Sequence, residues 1–250
     1  MLMTALLDSL VAKTPEKLRF LELEITKRCQ LTCGEHCFVQ AGPTQGHGTM
    51  STDDWKRVIS EAAALGTETI QLIGGEPTLH PDFAELVNHS LAEGLKVIVY
   101  SNLYRVRDAH WPLFERPGVS LATSYYADTD AGHDQVTGRR GSHAATRANI
   151  IEAQRRGIHV RVGIVDVLEG QRVAEARAEL MTLGITDIHT DRVRAIGNAA
   201  KAPPCRPPPN CAGAAPTAWP QSCPTARSLP ASWADSCPPA RCKAIRCRRC

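Results

Sequence analysis

The stretch Ile25–Phe38, ITKRCQLTCGEHCF, sets Cys29, Cys33 and Cys37 on one short loop just after the first predicted strand. Three thiolates so placed can each hold one iron of a 4Fe-4S cube and leave the fourth iron open to an exchangeable ligand. An open iron is where chemistry can happen. Taken alone, the triplet also suits a zinc site, which would need a fourth ligand, or three unrelated buried thiols.

Working outward, the next motif is Gly74, Gly75, Glu76 and Pro77, which follows the apolar run Ile70, Leu72 and Ile73. Paired glycines let backbone approach a ligand closely, and Glu76 offers an anionic acceptor for a cationic ammonium. Ser101 and Asn102 follow the segment KVIVY, and Ser124 ends VSLATS. From about residue 18 to 198 strand-like and helix-like stretches alternate, the pattern of a parallel α/β sheet. Predicted strands cover Arg19 to Thr26, Thr69 to Ile73, Lys96 to Ser101, Val119 to Ser124, His159 to Val165 and Asp187 to Val193. Predicted helices cover Thr52 to Leu65 with Ser51 as cap, Asp82 to Gly94, and Ser142 to Arg156 ahead of Gly157. Every motif falls at or just after the end of a strand, so all gather on the C-terminal rim of the sheet, where barrel enzymes place their chemistry.

These motifs together resemble the radical SAM superfamily, whose members hold a 4Fe-4S cluster with three loop cysteines and let S-adenosylmethionine (SAM) chelate the fourth iron. The usual spacing there is C-x3-C-x2-C with an aromatic before the last cysteine; this chain has C-x3-C-x3-C, with His36 before Cys37 and Phe38 after it. The loop contains Gly34, whose freedom lets it absorb one residue. His133, Asp134, Gly138, Gly141 and Ser142 resemble, in register, a segment of the subgroup with a C-terminal SPASM/twitch-type auxiliary-cluster domain. The resemblance implies a partial (β/α)6 TIM-like barrel that cleaves SAM reductively to a 5′-deoxyadenosyl radical for hydrogen abstraction. It implies Cys29, Cys33 and Cys37 as iron ligands and Gly74, Gly75, Glu76, Pro77, Ser101, Asn102 and Ser124 as SAM contacts. The expected partners are a peptide or small natural-product substrate and an electron donor such as flavodoxin or ferredoxin. The alternative, from a different class, is an inactive iron-sulfur or metal-binding remnant.

Other residues carry weaker readings. His47 and His80 read as solvated loop histidines, and Arg139 and Arg140 as exposed charge at a helix start. Tyr125 and Tyr126 sit next to the ribose site that the resemblance implies and are candidates to stack on substrate; at least one belongs to the core, because strand neighbours point to opposite faces.

Composition bounds the rest. A chain of 250 residues accommodates one domain of about two hundred residues plus an appendage. The net charge of +3 gives nucleic acid no footprint as the main partner. No apolar run reaches the roughly 18 residues of a membrane span, and the start lacks an export signal, which points to a cytoplasmic protein. Ten cysteines in a reducing compartment favour metal over disulfides. The organisation expected is a lead-in over 1–17, the barrel over 18–200 and a tail over 201–250. The last 48 residues hold 11 of the 17 prolines and seven of the ten cysteines, with Asp235 as their single acid. Such a segment buries too little apolar surface to offset its ordering entropy, and its GC-rich composition reads as an out-of-frame remnant of an auxiliary-cluster domain.

Overall fold

The computed structural model describes residues 18–194 and 196–201. The expectations of a lead-in over 1–17 and of a disordered or frame-shifted tail beyond 201 lie outside the described residues. Six strands form one sheet in the order β1-β2-β3-β4-β5-β6. They are β1 (Phe20–Glu24), β2 (Thr69–Ile73), β3 (Lys96–Tyr100), β4 (Val119–Tyr125), β5 (Val160–Asp166) and β6 (Ile188–Arg192). All five pairings are parallel, and each strand lies beside its sequence neighbour. Among the described residues β6 and β1 do not pair, so the sheet is a partial (β/α)6 barrel as expected.

Alternation along the strands separates the two faces. Val97 and Val99 on β3, Leu121 and Tyr125 on β4, and Val162 and Ile164 on β5 are fully buried in one continuous core. Burying each of the valine, leucine and isoleucine side chains among them contributes about 1.5–3 kcal/mol. The inner face is polar: Gln71 Nε2 donates to Glu22 at 2.5 Å, and Arg161 donates to Gln71 Oε1 at 2.8 Å. A polar lining on the concave side leaves room for a ligand rather than for core.

The helices are α1 (Thr52–Ala64), α2 (Phe83–Ala92), α3 (Trp111–Phe114), α4 (Asp130–Thr137), α5 (Ser142–Arg155) and α6 (Val173–Thr182). Helix α1 starts as its sequence dictates: Ser51 Oγ accepts from Asp54 N while Asp54 accepts from Ser51 N, a reciprocal cap. It buries Trp55, Ile59 and Ala62 at helical spacing. Gly157, at φ +71, follows α5 as a left-handed stop. Strand limits differ from expectation by a residue or two, and α3, α4 and α6 were not among the predicted helices. Helix α4 lies in the HDQVTG segment, where hydrophobic periodicity is faint because His133 and Thr137 fill buried positions.

Candidate functional site

The loop after β1 closes on itself before any cofactor is considered. Cys29 N donates to Gly42 O at 3.1 Å and Gly42 N to Lys27 O at 3.1 Å, so residues 29–41 project as one lobe from the rim. Inside it a single 3-10 turn, Gly34–His36, takes up the spacing between Cys33 and Cys37, starting at Gly34 with φ +52. All three thiols are free. Cys29 Sγ accepts from Leu31 N at 3.4 Å and from Asn102 Nδ2 at 3.6 Å, and Cys37 Sγ accepts from Ala41 N at 3.2 Å. Burial, then the charge of neighbouring groups including the other cysteines, pushes the Cys29 and Cys33 thiols up to about 12. Cys29 and Cys33 become thiolates together only beside a compensating cation, and the N–H donors aimed at the Cys29 and Cys37 sulfurs are the partners that thiolate ligands call for. Among the described residues no three His, Cys, Asp or Glu side chains close on one point as the ligands of a single ion do. A cube takes one thiolate per iron, so its ligands need not close on one point, and three cysteines with N–H donors at sulfur are the donor chemistry it calls for.

The Gly-Gly-Glu-Pro segment is packed against this lobe. Gly75 N donates to Thr26 O and Glu76 N to Arg28 O, at 2.8 and 2.9 Å. A Cβ on Gly74 would sit 2.3 Å from Thr26 O and one on Gly75 2.5 Å from Arg28 O. The glycines are therefore required by backbone-to-backbone contact as well as by any ligand. Glu76 is wholly buried: Oε1 accepts from Thr78 N, Thr78 Oγ1 and Ser101 Oγ, and Oε2 from Asn102 N. Burial raises its carboxyl above the usual range, against the pull of those donors. Its carboxylate knots the end of β2 to the end of β3.

Asn102 gains its orientation from that knot. Its Oδ1 accepts from Gln30 Nε2 and Tyr104 N, and its carbonyl from Thr146 of α5. The next residue, Leu103, is fully buried at φ +52, a strained conformation for a bulky side chain; Asn149 Nδ2 holds its carbonyl at 2.7 Å.

At the end of β4, Ser124 Oγ lies 3.1 Å from Tyr100 Oη. Tyr125 is core, bonded through Oη to Glu179 at 2.8 Å and to His143 at 2.7 Å, whereas Tyr126 faces the cavity with its phenol pushed well above the usual range by burial. The segment from Asp134 to Ser142 is supporting structure. Asp134 accepts from Gly141 N, Ser142 Oγ and His143 N, and Gly138 at φ +64 lies where a Cβ would be 2.4 Å from Thr32 O. His80 corrects the expectation of a solvated loop residue: it is buried, with His47 edge-on at 5.4 Å. Arg139 and Arg140 are exposed, and Arg139 covers the Tyr104 ring.

These pieces converge on one cavity of about 440 Å³. Cys29, Cys33, Cys37, Gly74, Gly75, Asn102 and Ser124 line it; Glu76, Pro77 and Ser101 stand behind the wall. Tyr126, a candidate for stacking on substrate, also lines it, as do Tyr100, His36 and His133, which were not among the expected contacts. A segment near the end of the described residues completes the rim. Asn198 N donates to Cys37 O at 3.0 Å, Asn198 Nδ2 to Gly34 O at 2.8 Å, and a Cβ on Gly197 would meet Phe38 O at 2.0 Å.

A cysteine lobe on the rim of a partial parallel barrel, over a cavity of small-molecule size, defines an iron-sulfur protein of the barrel class. Residues 23–181 match the radical SAM superfamily, and the chain belongs to that superfamily, whose cofactors are a 4Fe-4S cluster and SAM. It is 34% identical over 123 residues to the PqqA peptide cyclase of Rhodopseudomonas palustris, covering 49% of this chain and 32% of that protein. It is 29% identical over 143 residues to the antilisterial bacteriocin subtilosin biosynthesis protein AlbA of Bacillus subtilis, covering 56% and 32%. The chain spans about a third of the length of these curated relatives. The fold is similar to the crystal structure of Streptococcus suis SuiB bound to precursor peptide SuiA, with TM-score 0.64 and 16% identity over 73% of this chain and 41% of that one. No helix among the described residues is long and apolar enough to cross a membrane.

Proposed function

We propose that this chain binds a 4Fe-4S cluster through Cys29, Cys33 and Cys37, binds SAM in the adjoining cavity, and modifies a peptide by hydrogen abstraction. What carries the reading is the convergence of the three cysteines with Gly74, Gly75, Asn102 and Ser124 on one cavity. When bound, cluster and SAM supply one-electron reductive cleavage to methionine and a 5′-deoxyadenosyl radical. Asn102 Nδ2 and the Leu31 and Ala41 amides direct donors at the sulfurs and so favour thiolate. Gly74 and Gly75 bring the end of β2 against the cysteine lobe and keep that side of the cavity free of side chains, where the SAM amino group would lie. Glu76 and Pro77 fix this corner from behind, and Ser101 joins Glu76 to β3. Ser124, with Tyr100 and Tyr126, offers hydroxyls to the ribose side.

A peptide as substrate is supported by relatives named for acting on or making peptides, PqqA peptide cyclase and the subtilosin protein AlbA. A flavodoxin- or ferredoxin-type donor would deliver the electron. The test is anaerobic reconstitution with iron and sulfide, then incubation with SAM and dithionite. The proposal expects 5′-deoxyadenosine from the wild type and none from Cys33→Ala. An iron-replete wild type that yields none would instead favour an iron-sulfur remnant without turnover.

A further inference from the structure

The geometry points to His133 as a ligand contact: its Nε2, an unprotonated acceptor, receives an N–H or O–H of the SAM nucleoside. The inference rests on the cavity being a SAM site and adds a residue to it. His133 is 1% exposed, lines the cavity, and lies on α4, which follows the end of β4 where Ser124 and Tyr126 stand. Its ring meets the Tyr126 ring edge-on at 5.3 Å. Its Nε2 is buried with no hydrogen-bond partner among the described residues. A buried polar atom without a partner, on a side chain that lines a cavity, is a place for a ligand atom.

The proton on this ring is assigned by its neighbours. His133 Nδ1 lies 3.1 Å from Ser142 Oγ, and Ser142 Oγ donates its single proton to Asp134 Oδ1 at 2.9 Å. Backbone donors from His143 and Gly141 hold the Asp134 carboxyl below the usual range despite its desolvation, so it stays ionised and only accepts. With the Ser142 proton committed, Nδ1 must donate to Ser142 Oγ, or two lone pairs would face each other. Thr137 Oγ1, 2.6 Å from Ser142 Oγ, donates its proton there; the Ser142 oxygen accepts from both Thr137 and His133 Nδ1, and the direction of the chain is unchanged. Nε2 is then a bare lone pair. Burial, with the charge of His143, holds the ring neutral by lowering its pKa to about 4.

A lone pair in this place selects its ligand. It accepts from a ribose hydroxyl or the adenine amino group and repels an ionised carboxylate or phosphate. The nucleoside is the favoured source because His133 stands on the cavity wall with the hydroxyls of Tyr100, Ser124 and Tyr126, a neutral polar set suited to a sugar or an amino-purine, while the proposed cluster ligands occupy the cysteine lobe.

Two measurements test this on the full chain. The ¹⁵N shifts of histidine-labelled protein, with His133 assigned by its loss in His133→Phe, read the tautomer directly; a protonated Nδ1 with bare Nε2 is expected, and an Nε2–H tautomer would overturn the inference. SAM binding to the reconstituted chain should weaken about three- to tenfold in His133→Phe and by less than about twofold in His133→Gln, which keeps an acceptor in place. Equal affinity in His133→Phe and wild type would overturn the contact and leave the SAM site standing. A wild type that holds its cluster yet binds no SAM would overturn both. Should His133→Phe lose its iron, His133→Gln and the wild-type shifts carry the test.

Discussion

Replacing Glu76 by alanine should destabilise the protein before it touches chemistry. The buried carboxylate accepts from two side-chain hydroxyls, Thr78 and Ser101, and from two backbone amides, Thr78 and Asn102. The hydroxyls can turn to other acceptors, but the two amides cannot. Each orphaned buried donor costs about 1–3 kcal/mol, so the loss is roughly 2–6 kcal/mol. Removing a desolvated charge relieves part of this and pulls the result toward the low end. Against a total stability of about 5–15 kcal/mol that is a large fraction. Urea unfolding followed by circular dichroism measures it. Glu76→Gln, which points an amide N–H₂ among donors, should also lose stability. If Glu76→Ala unfolded within about 0.5 kcal/mol of wild type and lost only SAM affinity, Glu76 would be a direct ligand of the SAM ammonium and the knot would be incidental.

Alanine at any one of Cys29, Cys33 and Cys37 should abolish the visible absorbance of the reconstituted cluster, because two thiolates leave two irons of the cube without protein ligands; iron analysis checks it. Gly197→Ala places a Cβ 2.0 Å from Phe38 O at a left-handed φ, so it should lower iron incorporation by freeing the cysteine lobe while leaving the barrel's circular dichroism unchanged. His133 contributes a pH dependence of known sign. Its pKa falls from an ordinary 6.5 to about 4 on folding, so the stability of the neutral ring is complete above 6.5 and is lost as pH drops from 6.5 toward 4. Urea midpoints over that window should show a slope steeper by about 1.4 kcal/mol per pH unit in wild type than in His133→Phe.

Much of this was legible in the sequence, and the division has a physical cause. Strands such as Thr69–Ile73 and helices such as Thr52–Ala64 declare themselves through local patterning, and the motifs at strand ends inherit a common rim from topology alone. Contacts between residues far apart leave no such trace. Glu76 reads as a ligand because a free carboxylate beside glycines suits an ammonium; only the arrival of Ser101 and Asn102 from β3 fills its oxygens. The closure of the rim by Gly197 and Asn198 joins positions about 160 residues from the cysteines, beyond any periodic signal. His133 was visible as part of a motif, but its orphaned Nε2 emerges only once Ser142 and Asp134 are placed.

The most direct measurement of the central claim is electron-nuclear double resonance on the reduced, reconstituted chain with SAM labelled by ¹⁵N at its methionine amino group. Coordination at an open iron beside Cys29, Cys33 and Cys37 predicts a ¹⁵N hyperfine coupling to the cluster that vanishes when SAM is omitted. A full cluster signal with no ¹⁵N coupling at saturating SAM would contradict it.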